Sequence, residues 1–81
     1  MKTKSMIKTY QSKMKKAQRI MITIQRDMDA IFKVENPTKE QMKEALLLFS
    51  SLNIYKKIYS ELDSIVGSLL MISKYEHTDM L

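Results

Sequence analysis

The chain contains no cysteine and no tryptophan, and it has one glycine and one proline in 81 residues. Without cysteine there is no disulfide framework and no thiolate metal site, and the redox compartment stays open. Ordinary chains carry about 7% glycine and about 5% proline, so the punctuation that tight turns need is nearly missing. Strands joined by hairpins are excluded on that ground, and the expected class is all-α. A phosphate-cradling loop needs several glycines, and only Gly67 is present. The single histidine, His77, has neither a cysteine nor a second histidine to share a zinc ion with. It also finds no nucleophile set around it. Asp27 and Asp29 are two positions apart, so on a helix they point to different sides and form no carboxylate dyad. No catalytic residue, metal ligand or cofactor site is expected, and the chain reads as a non-enzyme.

Long apolar runs are missing as well. The richest stretch, SIVGSLLMIS at 64–73, is about half the ~20 residues a membrane-spanning helix requires. The first residues, MKTKSMIKTYQSK, carry the charge of a secretory leader, but no apolar segment follows. A cytoplasmic protein without a transmembrane helix is the expectation. Twelve lysines against two arginines, with abundant isoleucine and methionine, suggest an AT-rich coding sequence of bacterial or phage type. Eighty-one residues make one small domain, here taken as 1–81.

What the sequence does have is periodicity. Ile7, Tyr10, Met14, Ala17, Met21, Ile24, Met28 and Ile31 recur at alternating steps of three and four, filling every a and d position over four heptads. Ile20 and Phe32 widen that stripe. This predicts a first helix over about residues 4–34. Ala45, Leu48, Leu52, Tyr55, Tyr59, Leu62, Val66 and Leu69 form a second unbroken a/d run, predicting a helix over about 39–75 and a frayed tail at 76–81. A break near SSLN at 50–53 would divide it, and Gly67 would mark a close helix contact or a mild bend. Met14, Met21 and Met28 read as core at a positions, rather than as the flexible thioethers of a many-partner groove. Tyr55 and Tyr59 read as seam residues with hydroxyls toward the rim.

Between the two runs lies VENPTKEQM, with the only proline. The residue before proline avoids the α region, which stops the first helix. Thr38 and Gln41 have the spacing of a capping box, and Glu40 suits the positive end of a helix dipole. The competing start makes Asn36 the cap and Pro37 the first helical residue. Either start gives an Asn-Pro-Thr hinge at 35–38 and two antiparallel helices folded into a hairpin.

That hairpin has more apolar surface than it can cover. Leu46, Leu47, Phe49 and Ile54 fall off the seam, and Ile58, Ile65 and Ile72 form a line beside it. Two helices side by side bury one stripe each, so the remainder needs another chain. Dimerisation into a four-helix bundle would cover it, and so would a different partner protein. These seven residues are the candidate partner-binding surface.

Charge is distributed against the local rule. The first 26 residues hold eight basic side chains and no acid, although a helix N-terminus already carries positive potential. Glu61, Asp63, Glu76 and Asp79 invert the rule at the other helix end. Folding at Pro37 would set residues 11–16 beside 61–63, so the inversion is expected to pair the helices. A surplus of positive charge stays at this end, with Lys8, Lys13, Lys15, Lys16 and Arg19 forming a basic pole. Nucleic acid, an anionic membrane surface or an acidic protein would each be drawn to it. Only two arginines occur, no helix-turn-helix or zinc-finger spacing is present, and Tyr10 sits in the seam.

The expected function is therefore protein–protein association through apolar helical faces. The role would be that of a small accessory protein: a chaperone, an inhibitor or regulator, or an assembly subunit. The alternative is a helical dimer that binds RNA or DNA through the basic pole. In architecture the expected hairpin resembles type III secretion needle subunits and their small co-chaperones, and also plasmid-type RNA-binding helical dimers. Those resemblances imply association or RNA binding and transfer no individual residue.

Overall fold

A computed structural model describes residues 2–79, with side chains through Glu76. Two helices account for nearly all of it: α1, Lys2–Phe32, and α2, Lys39–Asp79. Residues 33–38 join them. Neither helix interior contains proline, and the one glycine lies well inside α2, so nothing interrupts propagation once a helix is nucleated.

The end of α1 and the start of α2 each have a local cause. Lys33 N–H still donates to Asp29 four residues back, but Val34 N–H donates to Ile31, only three back, both at 3.1 Å. That tightened turn closes the helix ahead of Pro37, two residues before the sequence-based boundary. At α2, Gln41 N–H donates to Thr38 Oγ1 at 3.1 Å, and Thr38 N–H donates to Gln41 Oε1 at 2.8 Å. This reciprocal pair is the capping box, so Thr38 is the cap rather than Asn36. Glu40 supplies the acid of the first turn.

The other boundaries also moved. Helix α1 begins at Lys2 rather than near residue 4. Helix α2 continues to Asp79, where a tail from residue 76 was expected; residues 80 and 81 lie outside the described part. Nothing between Tyr75 and Asp79 is a helix breaker, so polarity alone did not end the helix. No break occurs at 50–53 either. Leu52 is buried there and anchors the turn against α1, while serine and asparagine only weaken helices slightly. Gly67 marks no close contact: a methyl group built on it would meet nothing within 4 Å.

The helices pack antiparallel along their length. Ile24, Met28 and Leu52 form the centre, with Ile20, Met21, Leu48 and Tyr55 against them. Thr3 at the start of α1 donates a 2.9 Å hydrogen bond to Glu76 near the end of α2. The result is a rod of 66 × 15 × 14 Å with a radius of gyration of 18.6 Å, against about 12 Å for a compact domain of this length.

Candidate interaction surfaces

All sixteen a/d residues lie along the line where the helices meet. On α1, Ile7, Ala17, Ile24, Met28 and Ile31 are buried, and Tyr10, Met14 and Met21 are half-buried. On α2, Ala45, Leu52, Val66 and Leu69 are buried, and Leu48, Tyr55, Tyr59 and Leu62 are half-buried. Among the described residues no large side chain is sealed from solvent. One stripe per helix closes a seam, and a seam only one helix deep stays open on both sides.

The seam runs past its apolar residues. Stepping back four from Ile7 reaches Thr3, which is buried at 8% exposure. Stepping on from Leu69 reaches half-buried Ser73 and then Glu76. The heptad therefore ends in a polar layer, closed by the Thr3–Glu76 hydrogen bond. A search for apolar repeats passes over these residues, and extending the 3-4 step would have found them.

The seven off-seam residues are all exposed, and they separate into two groups. Ile58, Ile65 and Ile72 follow one another at seven-residue steps along one edge of α2. Ile20 of α1 lies on that same edge, because Ala17, Ile20, Tyr55, Ile58 and Leu62 line one open groove of about 210 Å³. Lys13 and Lys16 complete the lining, and the wall is almost wholly carbon. Met6, seven residues before Lys13 on α1, is also exposed and was missed because it lies beside the a/d stripe, next to Ile7, rather than in it. The second group is Leu46, Leu47, Phe49 and Ile54 on the first turns of α2. Leu47 is 70% exposed, and Phe32 at the end of α1 is 60% exposed. That end of the rod is apolar over much of its circumference.

At the opposite end, Lys8, Lys13, Lys15, Lys16 and Arg19 are all exposed. The expected pairing with Glu61 and Asp63 is not formed: among the described residues, none of these cations reaches either carboxylate. Long side chains on neighbouring outer faces gain too little in water to fix one geometry. A polar contact that does cross between the helices at this end is Thr3–Glu76. Lys8, Lys13 and Lys16 share an open groove of about 510 Å³ with Thr9 and Ser12. A neighbouring groove of about 590 Å³ brings Lys8 and Lys15 beside Gln11, Gln18, Met14 and Tyr59.

Two details modify the reading of this pole. The Lys13 ammonium sits 5.2 Å from the centre of the Tyr10 ring, within cation–π range, so Tyr10 serves the seam and a lysine together. Thr9 and Thr23 turn their hydroxyls back onto the carbonyls of Ser5 and Arg19, at 3.0 and 3.1 Å. They are internally satisfied donors on the outer face.

Asp29 accepts from Gln25 Nε2 at 3.1 Å, an i,i+4 pair that supports the helix. Among the described residues no three His, Asp or Glu side chains gather as metal ligands would. The His77 side chain lies outside the described part. No helix among the described residues is long and apolar enough to cross a membrane. No protein family, curated protein or solved structure matches the chain at a significant level.

Proposed function

We propose that this chain is a non-enzymatic protein–protein association module that completes a helical bundle with another chain. The observation that carries the reading is its surface. The hairpin exposes 6767 Å², whereas a folded monomer of 9.5 kDa exposes about 5,000 Å². The excess, roughly 1,700 Å², is what one partner contributes to an obligate helical interface. Much of it is isoleucine, leucine and phenylalanine, the residues a solitary domain would bury. Four helices can bury two stripes each around a common core, and two helices cannot. A small accessory protein acting as chaperone, inhibitor or assembly subunit fits this need for a covering partner.

The test is sedimentation combined with thermal unfolding across a hundredfold range of concentration. Association predicts a mass above 9.5 kDa or a melting temperature that rises with concentration. A sharply melting monomer, indifferent to concentration, would count against the reading. A monomer that melts without cooperativity would point to a different protein as the covering chain.

A second reading draws on the basic pole, whose exposed lysines are not neutralised by Glu61 or Asp63. Such a cluster can neutralise phosphates on RNA or DNA, and binding of that kind falls steeply with salt.

A further inference from the structure

The two apolar groups described above join on one flank of α2. Leu47, Ile54, Ile58, Ile65 and Ile72 are all exposed and follow one another at steps of seven, four, seven and seven. Ser51, Glu61 and Ser68 fill the gaps, so the positions alternate by four and three, as the seam does. Such spacing holds one face of a helix toward a neighbour. It is a second heptad row on α2, beside the one that meets α1, and through Ile58 it borders the carbon-walled groove. These side chains are exposed on the hairpin, so its own fold does not rest on them. The row reads nearly the same from either end. Leu47 and Ile72 close its apolar part, Ser51 and Ser68 come next, then Ile54 and Ile65, and Ile58 and Glu61 hold the middle. One step farther out stand Glu44 and Tyr75, where the row turns polar.

We propose that this row seats the same row of a second copy, laid antiparallel, with a two-fold axis passing between Tyr59 and Ser60. The proposal deepens the association reading and rests on it. The mirrored order of the row selects the occupant. Inversion about that point sets Leu47 on Ile72, Ile54 on Ile65 and Ser51 on Ser68, each twice, as a two-fold contact requires. Moving the register by one heptad either way would set Ile72 on Glu40 or Leu47 on Asp79, at the ends of α2. The row is therefore its own complement in one register, and a partner of another sequence would have to carry the same spacing. Charge selects the direction. Glu61 lies within the row, and Lys57 lies one turn before it. The antiparallel copy brings its Lys57 to within one residue of the level of Glu61, twice over. A parallel copy would instead set Glu61 on Glu61 and the two basic poles side by side, where like charges repel.

The chain has no cysteine, so introduced thiols report the pairing directly. An oxidised mixture of the Ile54→Cys and Ile65→Cys variants should form a disulfide-linked dimer, and neither variant alone should form one. Two copies of position 54 would lie eleven residues of helix apart in the antiparallel pair, about 16 Å, beyond the reach of a disulfide. In sedimentation equilibrium, Ile54→Asp and Ile65→Asp should each weaken the dimer by on the order of tenfold or more, since each puts a charge into an apolar contact. Leu46→Asp, exposed on another side of α2, should leave the dimer constant unchanged. A wild-type dimer that tolerates Ile54→Asp and Ile65→Asp would overturn the row and leave the association reading standing. Disulfide-linked dimers from each cysteine variant alone would overturn the antiparallel arrangement. A cooperative monomer at every concentration would end both readings. A non-cooperative monomer would end only this one.

Discussion

Thr3 Oγ1 donates a hydrogen bond of 2.9 Å to Glu76 Oε1, tying together residues 73 positions apart. It is the polar lock on a seam that is otherwise closed by apolar side chains. Thr3 is buried while Glu76 is exposed, so the carboxylate keeps water on its free side. Thr3→Asp would set a second carboxylate against it and bury a charge without a partner. The expected cost is about 1–3 kcal/mol, concentrated at this end of the rod. Amide exchange should accelerate over residues 70–76 more than around Leu52. Unchanged protection there would mean that the pole contact contributes nothing.

The seam itself should be far less tolerant than the surface. Ile24→Asp places a charge against Met28 and Leu52 in the central cluster and should cost several kcal/mol, enough to unfold a domain this small. Leu62→Asp should act in the same direction, less severely, because Leu62 is only half-buried. Leu47→Asp at a 70% exposed position should change hairpin stability by no more than about 0.5 kcal/mol. Circular dichroism melts of the three variants would check this order. Equal melting temperatures would show that the a/d residues do not hold the helices together.

These positions also show how much could be read in advance. Apolar spacing placed the seam, because a helix repeats every 3.6 residues and a 3-4 alternation keeps one face toward a neighbour. The Thr38–Gln41 cap was legible because it depends on two side chains at fixed spacing. Helix ends were less so. Val34 bonding back to Ile31 and the run through Asp79 depend on local hydrogen bonding that residue type does not dictate. Pairing of the lysines at 11–16 with Glu61 and Asp63 was inferred from the inverted charge distribution and the fold at Pro37, which do not say whether flexible, hydrated side chains meet. Thr3 was passed over because it is polar, although it occupies the next position of the seam repeat before Ile7 and meets Glu76 across it.

The cap should be measurable alone. Thr38→Ala removes the hydroxyl that accepts from Gln41 N–H and leaves the Gln41 side chain without its fixed counterpart. A loss of about 1 kcal/mol is expected. Adding Pro37→Ala removes the constraint on residue 36 and opens a route to one continuous helix. X-ray scattering would register fusion as an increase in radius of gyration above 18.6 Å. A double variant with an unchanged profile would show that the connection is set by helix packing and not by its own residues.

Gly67 offers a gain in stability. It sits in the interior of α2 with open space where a methyl group would go, and it has no positive φ. Gly67→Ala should therefore stabilise by roughly 0.5–1 kcal/mol, a rise of about 2–8 °C in melting temperature for a domain of this size. A fall would mean that the glycine admits close approach of another chain. That outcome would itself locate part of an interface.

The basic pole separates association from nucleic-acid binding. Changing Lys8, Lys15, Lys16 and Arg19 to glutamine removes four exposed cations that lie off the seam and reach neither Glu61 nor Asp63. Exposed charges without ion pairs contribute little, so the hairpin should keep its stability to within about 0.5 kcal/mol. If the pole neutralised phosphates, wild-type binding to RNA or DNA would weaken with salt at a slope near 0.9 per contact on duplex. The quadruple variant would then lose that binding without losing its fold. The expectation is that neither chain binds nucleic acid appreciably near physiological salt, and that dimer formation survives the substitution. The reason is that the proposed association rests on exposed apolar side chains, none of which the substitution changes. Fluorescence anisotropy with labelled RNA and duplex DNA, run from about 50 to 200 mM salt, would decide it. Micromolar binding that falls with salt and vanishes in the variant would make the pole the working surface.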